Sequence, residues 1–162
     1  MITREQAKSL CYKYHGNQSR RGVEGAYVDH PVAVANLVEE FGGSELAITA
    51  AYLHDLIEDT SCSIEILKGY GASPELIEVM ELVTRKENED SREHFERVLK
   101  SDNIDALFVK TYDNYHNSIW TRKQLRWHRD TFQADSYVEV AKYGSRYVKL
   151  LMKIRRMTGV YA

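Results

Sequence analysis

The sequence predicts an all-α protein, and three observations carry that expectation. Gly and Pro together account for only 11 of 162 residues, too few turn formers for the closely spaced turns of a β-sandwich. Apolar residues fall on one face of helix-length segments through nearly the whole chain. Ser, Thr or Pro stands at the head of several of these segments, where helix starts favour them. A hydrophobic share of 43% beside 28% charged residues supplies a core without the polarity of a disordered chain. The length suits one domain, so a single compact helical bundle over residues 1–162 is expected.

Taken in order, Thr3 caps a first helix running to about Tyr14, with Ala7, Leu10 and Cys11 on one face. Residues 15–29 hold three glycines and no sustained period, so they predict a loop. His30-Pro31 opens a second helix with Val34, Leu37, Val38 and Phe41 inward, stopped by Gly42-Gly43. Ser44 caps a third, whose apolar run extends from Leu46 to Ile57. Ser63 and Ser73-Pro74 start two shorter helices, the second ending near Thr84. The densely charged stretch from Arg85 to Glu93 predicts a mobile surface loop. Phe95 to Leu99, Ile104 to Trp120 and two C-terminal helices, at about 121–131 and 135–157, complete the chain.

Charge and composition narrow the function. The net charge is −2, yet residues 1–118 carry 12 Lys and Arg against 21 Asp and Glu, whereas residues 119–162 carry 10 against 3. A nucleic-acid module is more typically basic throughout, so no nucleic-acid partner is expected. Arg126, Arg129, Lys142, Arg146, Lys149 and Lys153 recur every three or four residues, either as a solvated helix face or as a segment meeting an anionic ligand. No apolar run reaches the roughly 18 residues of a membrane span, and the N-terminal residues lack the apolar core of a signal peptide. Cys11 and Cys62 lack metal-motif spacing. A cytoplasmic protein without a membrane partner is the expectation.

Three stretches place polar groups where an apolar helix would not. In Ala50-Ala51-Tyr52-Leu53-His54-Asp55-Leu56-Ile57-Glu58-Asp59, four polar groups interrupt an apolar run. Glu58 is one helical turn from His54 and Asp55, and Asp59 is one turn from Asp55. Three adjacent carboxylates repel when buried, and a cation among them removes the conflict. Glu58-Asp59 taken alone reads as a helix end that surfaces; His54-Asp55, set between Leu53 and Leu56-Ile57, favours a metal site. In the second stretch, Lys110, Asp113 and Asn117 lie at i, i+3 and i+7, one stripe of a helix. That stripe is either a surface Lys–Asp pair or a metal ligand flanked by substrate contacts. The third stretch, Tyr27-Val28-Asp29-His30-Pro31, puts an imidazole at a helix start. His94 and His128 are read as surface residues. Two imidazoles and two carboxylates (His30, His54, Asp55 and Asp113) suit Mn²⁺, Fe²⁺ or Zn²⁺ better than Ca²⁺, and leave coordination positions for water and substrate.

Tyr27-x-x-His30-Pro31, His54-Asp55-x-x-Glu58-Asp59-Thr60 and Val109-Lys110-x-x-Asp113-x-x-His116-Asn117, in that order, resemble the HD phosphohydrolases. Within that superfamily they resemble the (p)ppGpp hydrolase domain of RelA/SpoT proteins, and in length the stand-alone small alarmone hydrolases. The resemblance implies an HD-domain bundle and His30, His54, Asp55 and Asp113 as Mn²⁺ ligands, with Zn²⁺ or Fe²⁺ as alternatives. It implies Glu58 and Asp59 as the pair that orients and deprotonates the attacking water, and Asn117 as a nucleoside contact. Lys110 is implied at Asp113 or at phosphate, Tyr137 near the phosphates, and Arg20 or Arg21 against the base. The implied activity is a 3′-pyrophosphohydrolase acting on (p)ppGpp, with a small nucleotide as its partner and the oligomeric state open. Asp29, Ala26 and Ser118-Ile119-Trp120 depart from the family pattern and leave the base open. A broader HD phosphatase acting on nucleoside monophosphates or NADPH, and a non-catalytic nucleotide sensor, are the alternatives. The sensor ranks last because none of the six metal and water residues is lost.

Overall fold

A computed structural model describes residues 1–20, 25–127 and 134–159, and their side chains outside 120–140. Among the described residues the regular structure is helical. In order the helices are α1 (Arg4–His15), α2 (Asp29–Glu40), α3 (Glu45–Leu53), α4 (Leu56–Asp59), α5 (Ile64–Gly69), α6 (Pro74–Val83), α7 (Ser91–Lys100), α8 (Ile104–Trp127) and α9 (Ala134–Thr158). The all-α expectation therefore holds, and no described helix is long and apolar enough to cross a membrane.

Most helix starts follow the caps read from the sequence. Thr3 Oγ1 accepts from the Gln6 amide while the Gln6 side chain returns to the Thr3 amide, a complete capping box. Ser44, Ser63 and Ser73 each accept from the amide three residues on, at 3.0 to 3.2 Å. Asp90 does the same for α7, accepting from the Arg92 and Glu93 amides at 2.8 Å. That cap starts α7 at Ser91, four residues before the sequence reading.

α3 is the hub. Every residue from Ala47 to Leu53 is buried, and the helix packs against α1, α2, α6 and α8. Ala47, Ala50 and Ala51 are fully shielded and small enough to let those four neighbours approach. Leu53, Leu56, Leu67, Leu76 and Met80 complete this core, each burial contributing on the order of 1.5–3 kcal/mol. Gly43 makes the α2–α3 turn possible, because a Cβ there would run into the Val38 side chain and carbonyl. A second cluster of Phe95, Val98, Leu107, Leu150 and Ile154 joins α7, α8 and α9.

Four expectations change. The third helix does not run to Ile57: it ends at Leu53, and α4 restarts at Leu56. α8 continues to Trp127 without the expected break near Trp120, since no Gly or Pro occurs between Ile104 and Trp127 to stop it. Phe41 is 53% exposed, stacked on Tyr112 at 5.0 Å, because the helix ends there and turns its ring outward. The charged 85–90 loop is anchored: Glu89 takes two hydrogen bonds from Arg97, which also donates to the carbonyls of Glu81, Leu82 and Thr84.

His94 is a further correction, since it is buried and not at the surface. Its Nε2 bonds the Leu82 carbonyl at 3.0 Å, and burial, with nearby Lys110, depresses its pKa to about 4. In the folded protein His94 is thus neutral where the unfolded chain, with a pKa near about 6.5, is protonated. Between pH 6.5 and 4 the unfolded state binds the extra proton, so stability falls as pH drops through that window. Urea midpoints measured across it for the native chain and His94→Gln should converge toward low pH. Parallel curves would show that His94 carries none of the acid sensitivity.

Candidate functional site

Two helix junctions and the middle of α8 meet at one point. His30 sits in the first turn of α2, next to Pro31, whose missing amide hydrogen fits a helix start. The α3–α4 junction brings in His54 and Asp55, with Asp55 at φ −94° and ψ −5°, a sparsely populated conformation that redirects its side chain. His54 Nδ1 bonds the Ala51 carbonyl at 2.7 Å, so the break in the helix leaves Nε2 aimed inward. α8 contributes Asp113.

The reactive atoms crowd together. His30 Nε2 lies 3.2 Å from Asp113 Oδ1 and 3.5 Å from Asp55 Oδ2. His54 Nε2 lies 3.1 Å from Asp55 Oδ1 and 3.7 Å from Asp113 Oδ1. His30, His54 and Asp55 each offer a ligand atom within 4.8 Å of the others, and Asp113 Oδ1 closes the group through both histidines. Burial opposes a charged His54, yet Asp55 and Asp113 outweigh it and raise its pKa to about 9. Burial lowers His30, whose shielding is not outweighed. Burial likewise opposes ionisation of Asp113, but Lys110, His30 and His54 hold it well below the usual carboxylate range. The site draws positive charge to itself. Its two nitrogens and two carboxylates fit a divalent cation, and His54 Nε2, buried without a hydrogen-bond partner, is the atom such an ion would satisfy.

Glu58 and Asp59 are exposed, as the surfacing-helix reading had it, but what they face is a cavity of about 1090 Å³ shared with His30, Asp55 and Asp113. Glu58 Oε1 accepts from the Arg85 amide at 2.5 Å. Asp59 is held twice: its carboxylate accepts from the Tyr27 hydroxyl at 2.6 Å and its carbonyl accepts from Gln18 Nε2 at 2.7 Å. The Tyr27 oxygen also lies 2.9 Å from Asp55 Oδ2, so one phenol spans the metal-type carboxylates and the candidate base. Burial and the two carboxylates push that phenol's pKa up, which keeps it a donor. His15 stacks on the Tyr27 ring at 4.8 Å and bonds Gln18 Oε1 at 2.8 Å. Neither Gln18 nor His15 was singled out as a site residue from the sequence. Their contribution arises where the loop folds back through the Ser19–Ala26 bridge and the Tyr27-to-Gln18 backbone bond.

The other sequence candidates divide. Arg20 lines the cavity and donates to Asn117 Oδ1 at 2.9 Å, and Asn117 donates to Asp113 Oδ1 at 2.8 Å. Lys110 pairs with Asp113 Oδ2 at 2.6 Å, which places it on the carboxylate while it still lines the cavity. Arg21 and the side chain of Tyr137 lie outside the described residues. The basic C-terminal segment proves mixed: Arg146 and Tyr143 line the cavity, with Arg146 bonded to Ser91 at 2.9 Å and stacked over Phe95, whereas Lys149 is exposed away from it. A periodic stripe cannot tell which of its residues faces a pocket. Carboxylates (Asp55, Glu58, Asp59 and Asp113) and cations (Arg20, Lys110 and Arg146) thus line one cavity, an arrangement suited to a phosphorylated ligand bound beside a cation.

Comparison with known proteins gives the family and the fold. The HD domain family profile matches residues 7–117. A probable guanosine-3′,5′-bis(diphosphate) 3′-pyrophosphohydrolase of Synechocystis is 34% identical over 140 residues, covering 76% of this chain and 18% of that protein. The bifunctional (p)ppGpp synthase/hydrolase SpoT of Escherichia coli K12 is 30% identical over 141 residues, 79% of this chain and 20% of that one. The chain spans about a fifth of the length of these curated relatives. A solved metazoan ortholog of SpoT, described as hydrolysing ppGpp, superposes with a TM-score of 0.73 at 21% identity, covering 95% of this chain and 92% of its own. At that identity the structural likeness speaks for the fold.

Proposed function

This chain belongs to the HD domain family, and we propose that it is a metal-dependent 3′-pyrophosphohydrolase that converts (p)ppGpp, or a related alarmone, to GDP or GTP and pyrophosphate. We read residues 1–162 as one HD domain working in the cytoplasm. The observation that carries the reading is the cluster of His30, His54, Asp55 and Asp113, three of which line one cavity with Glu58, Asp59, Arg20, Asn117 and Arg146, while the buried His54 meets Asp55 at 3.1 Å. The four-residue cluster would hold Mn²⁺, which supplies Lewis acidity at the phosphoryl group and a more acidic water.

The protein's own groups do the rest. Asp59, fixed by Tyr27 and Gln18, and Glu58, fixed by the Arg85 amide, orient the water and accept its proton. A bond forms from the water oxygen to the phosphorus attached at the 3′-oxygen. The phosphorus–O3′ bond breaks, and the proton taken up by the Glu58–Asp59 pair passes on to the 3′-oxygen, so that the nucleoside leaves with a 3′-hydroxyl and pyrophosphate departs. Arg20 presents its guanidinium plane to the base and Asn117 meets the nucleoside. Lys110 holds Asp113 ionised and aligned. Arg146, which lines the same cavity, takes up negative charge from the second phosphate group. The relatives' printed activities support the substrate class.

The test is a product assay. Purified protein with Mn²⁺ and ppGpp should yield GDP and pyrophosphate on anion exchange, and Glu58→Ala should abolish the yield. Metal binding without ppGpp turnover would overturn the substrate assignment and direct the assay to adenosine alarmones, NADPH and nucleoside monophosphates. Nucleotide binding without turnover of any of them would establish a sensor.

A further inference from the structure

The ligand-type nitrogen of His30 is Nε2, which faces Asp113 and Asp55. Its other nitrogen, Nδ1, meets Nδ1 of His116 at 2.7 Å, with the two rings 4.9 Å apart. Asp113 and His116 are one turn apart on α8, so a single helix grips the His30 ring at both nitrogens. For Nε2 to offer a lone pair to a cation, the proton of neutral His30 must sit on Nδ1. That N–H then donates to His116 Nδ1, whose own proton is placed on its Nε2. A metal-ligating histidine ordinarily gives its second N–H to a carboxylate, a carbonyl or water. Here a second imidazole fills that place.

We infer that His116 is a positioning residue for the metal centre: it fixes the tautomer and the orientation of His30 and so sets the affinity of the site for a divalent cation. This rests on the metal reading of His30, His54, Asp55 and Asp113, and not on the substrate. His116 is half-buried on α8, and its Nδ1 is engaged by His30.

The experiment is isothermal titration of Mn²⁺ into the chelator-treated protein, with no nucleotide present. His116→Leu should weaken Mn²⁺ binding about 10–100-fold, the usual loss for an outer partner of a ligand. His116→Gln, whose amide oxygen can accept the His30 proton, should recover affinity to within about threefold of the native chain. Thermal midpoints of the two variants measured with chelator separate folding from affinity, and the comparison of Gln with Leu stands even if both lose stability. Binding by His116→Leu within twofold of native, or equal losses in Leu and Gln, would overturn the inference while leaving the metal site standing. A native chain that binds no Mn²⁺ would overturn the metal reading and this inference with it.

Discussion

Asp113→Asn should abolish detectable turnover and weaken Mn²⁺ binding by more than about 100-fold. One carboxylate here serves four neighbours: Oδ1 faces His30 and His54 and accepts from Asn117, which in turn accepts from Arg20, while Oδ2 holds Lys110. Loss of an outer partner of a metal ligand typically costs about 10–100-fold in affinity, so loss of the ligand's own charge should exceed that. The substitution keeps the shape and removes the charge, which strands the Lys110 ammonium at 17% side-chain exposure. Breaking one side of a buried pair costs about 3–5 kcal/mol, and the partial exposure of Lys110 reduces the expected loss to about 1–3 kcal/mol. Asp113→Asn combined with Lys110→Met should therefore regain stability in urea without regaining metal. Titration calorimetry and denaturation on the two variants make the check. Native-like Mn²⁺ affinity in the single variant would remove Asp113 from the ligand set.

Asp59→Asn should lower kcat by about 10²–10⁴-fold, the usual contribution of a positioned general base, with KM nearly unchanged. Tyr27→Phe should lower kcat by about 10-fold or more, again with KM nearly unchanged, because a misplaced base forfeits part of what a well-placed one supplies. The ring that stacks on His15 remains in this variant; only the hydroxyl shared by Asp55 and Asp59 is lost. Groups acting through one contact are not additive, so Tyr27→Phe placed in the Asp59→Asn background should cost little further. Steady-state kinetics on the four proteins of this cycle give the answer. Full additivity would mean that Tyr27 acts through Asp55 or through the fold and not through Asp59.

The parts of this site that were readable in the sequence share one property. His54, Asp55, Lys110 and Asp113 each interrupt an apolar helical pattern, and a buried charge without a partner is costly enough that the interruption is itself information. The position of Asp59 one turn after Asp55 followed from helical spacing, and the short α4 keeps it, with the Asp59 amide bonded to the Asp55 carbonyl at 3.0 Å. Tyr27 stands out in the sequence only as one residue of a motif, and its hydroxyl bridge exists only where the folded chain brings Asp55 and Asp59 to it. His15, Gln18 and Arg146 gave no such signal. A histidine at the end of a helix, a glutamine in a glycine-bearing loop and one arginine in a basic stripe are all ordinary surface patterns. His94 follows the same rule: a polar residue in a charged stretch looks solvated until α6 offers it a carbonyl.

What the sequence determined by itself is what short-range physics controls. Helix starts at Thr3, Ser44, Ser63 and Ser73-Pro74 depend on side chains that reach only three residues, and the all-α architecture follows from apolar spacing repeated along the chain. Tertiary structure alone decided the break between α3 and α4 and the contacts that make the site. Tyr27 reaches Asp55 across 28 residues, Arg20 reaches Asn117 across 97, and His30 meets Asp113 and His116 across 83 and 86. No local pattern encodes those separations. They are fixed when α3, with its alanines shielded, draws α1, α2 and α8 close enough for polar groups from separate helices to satisfy one another.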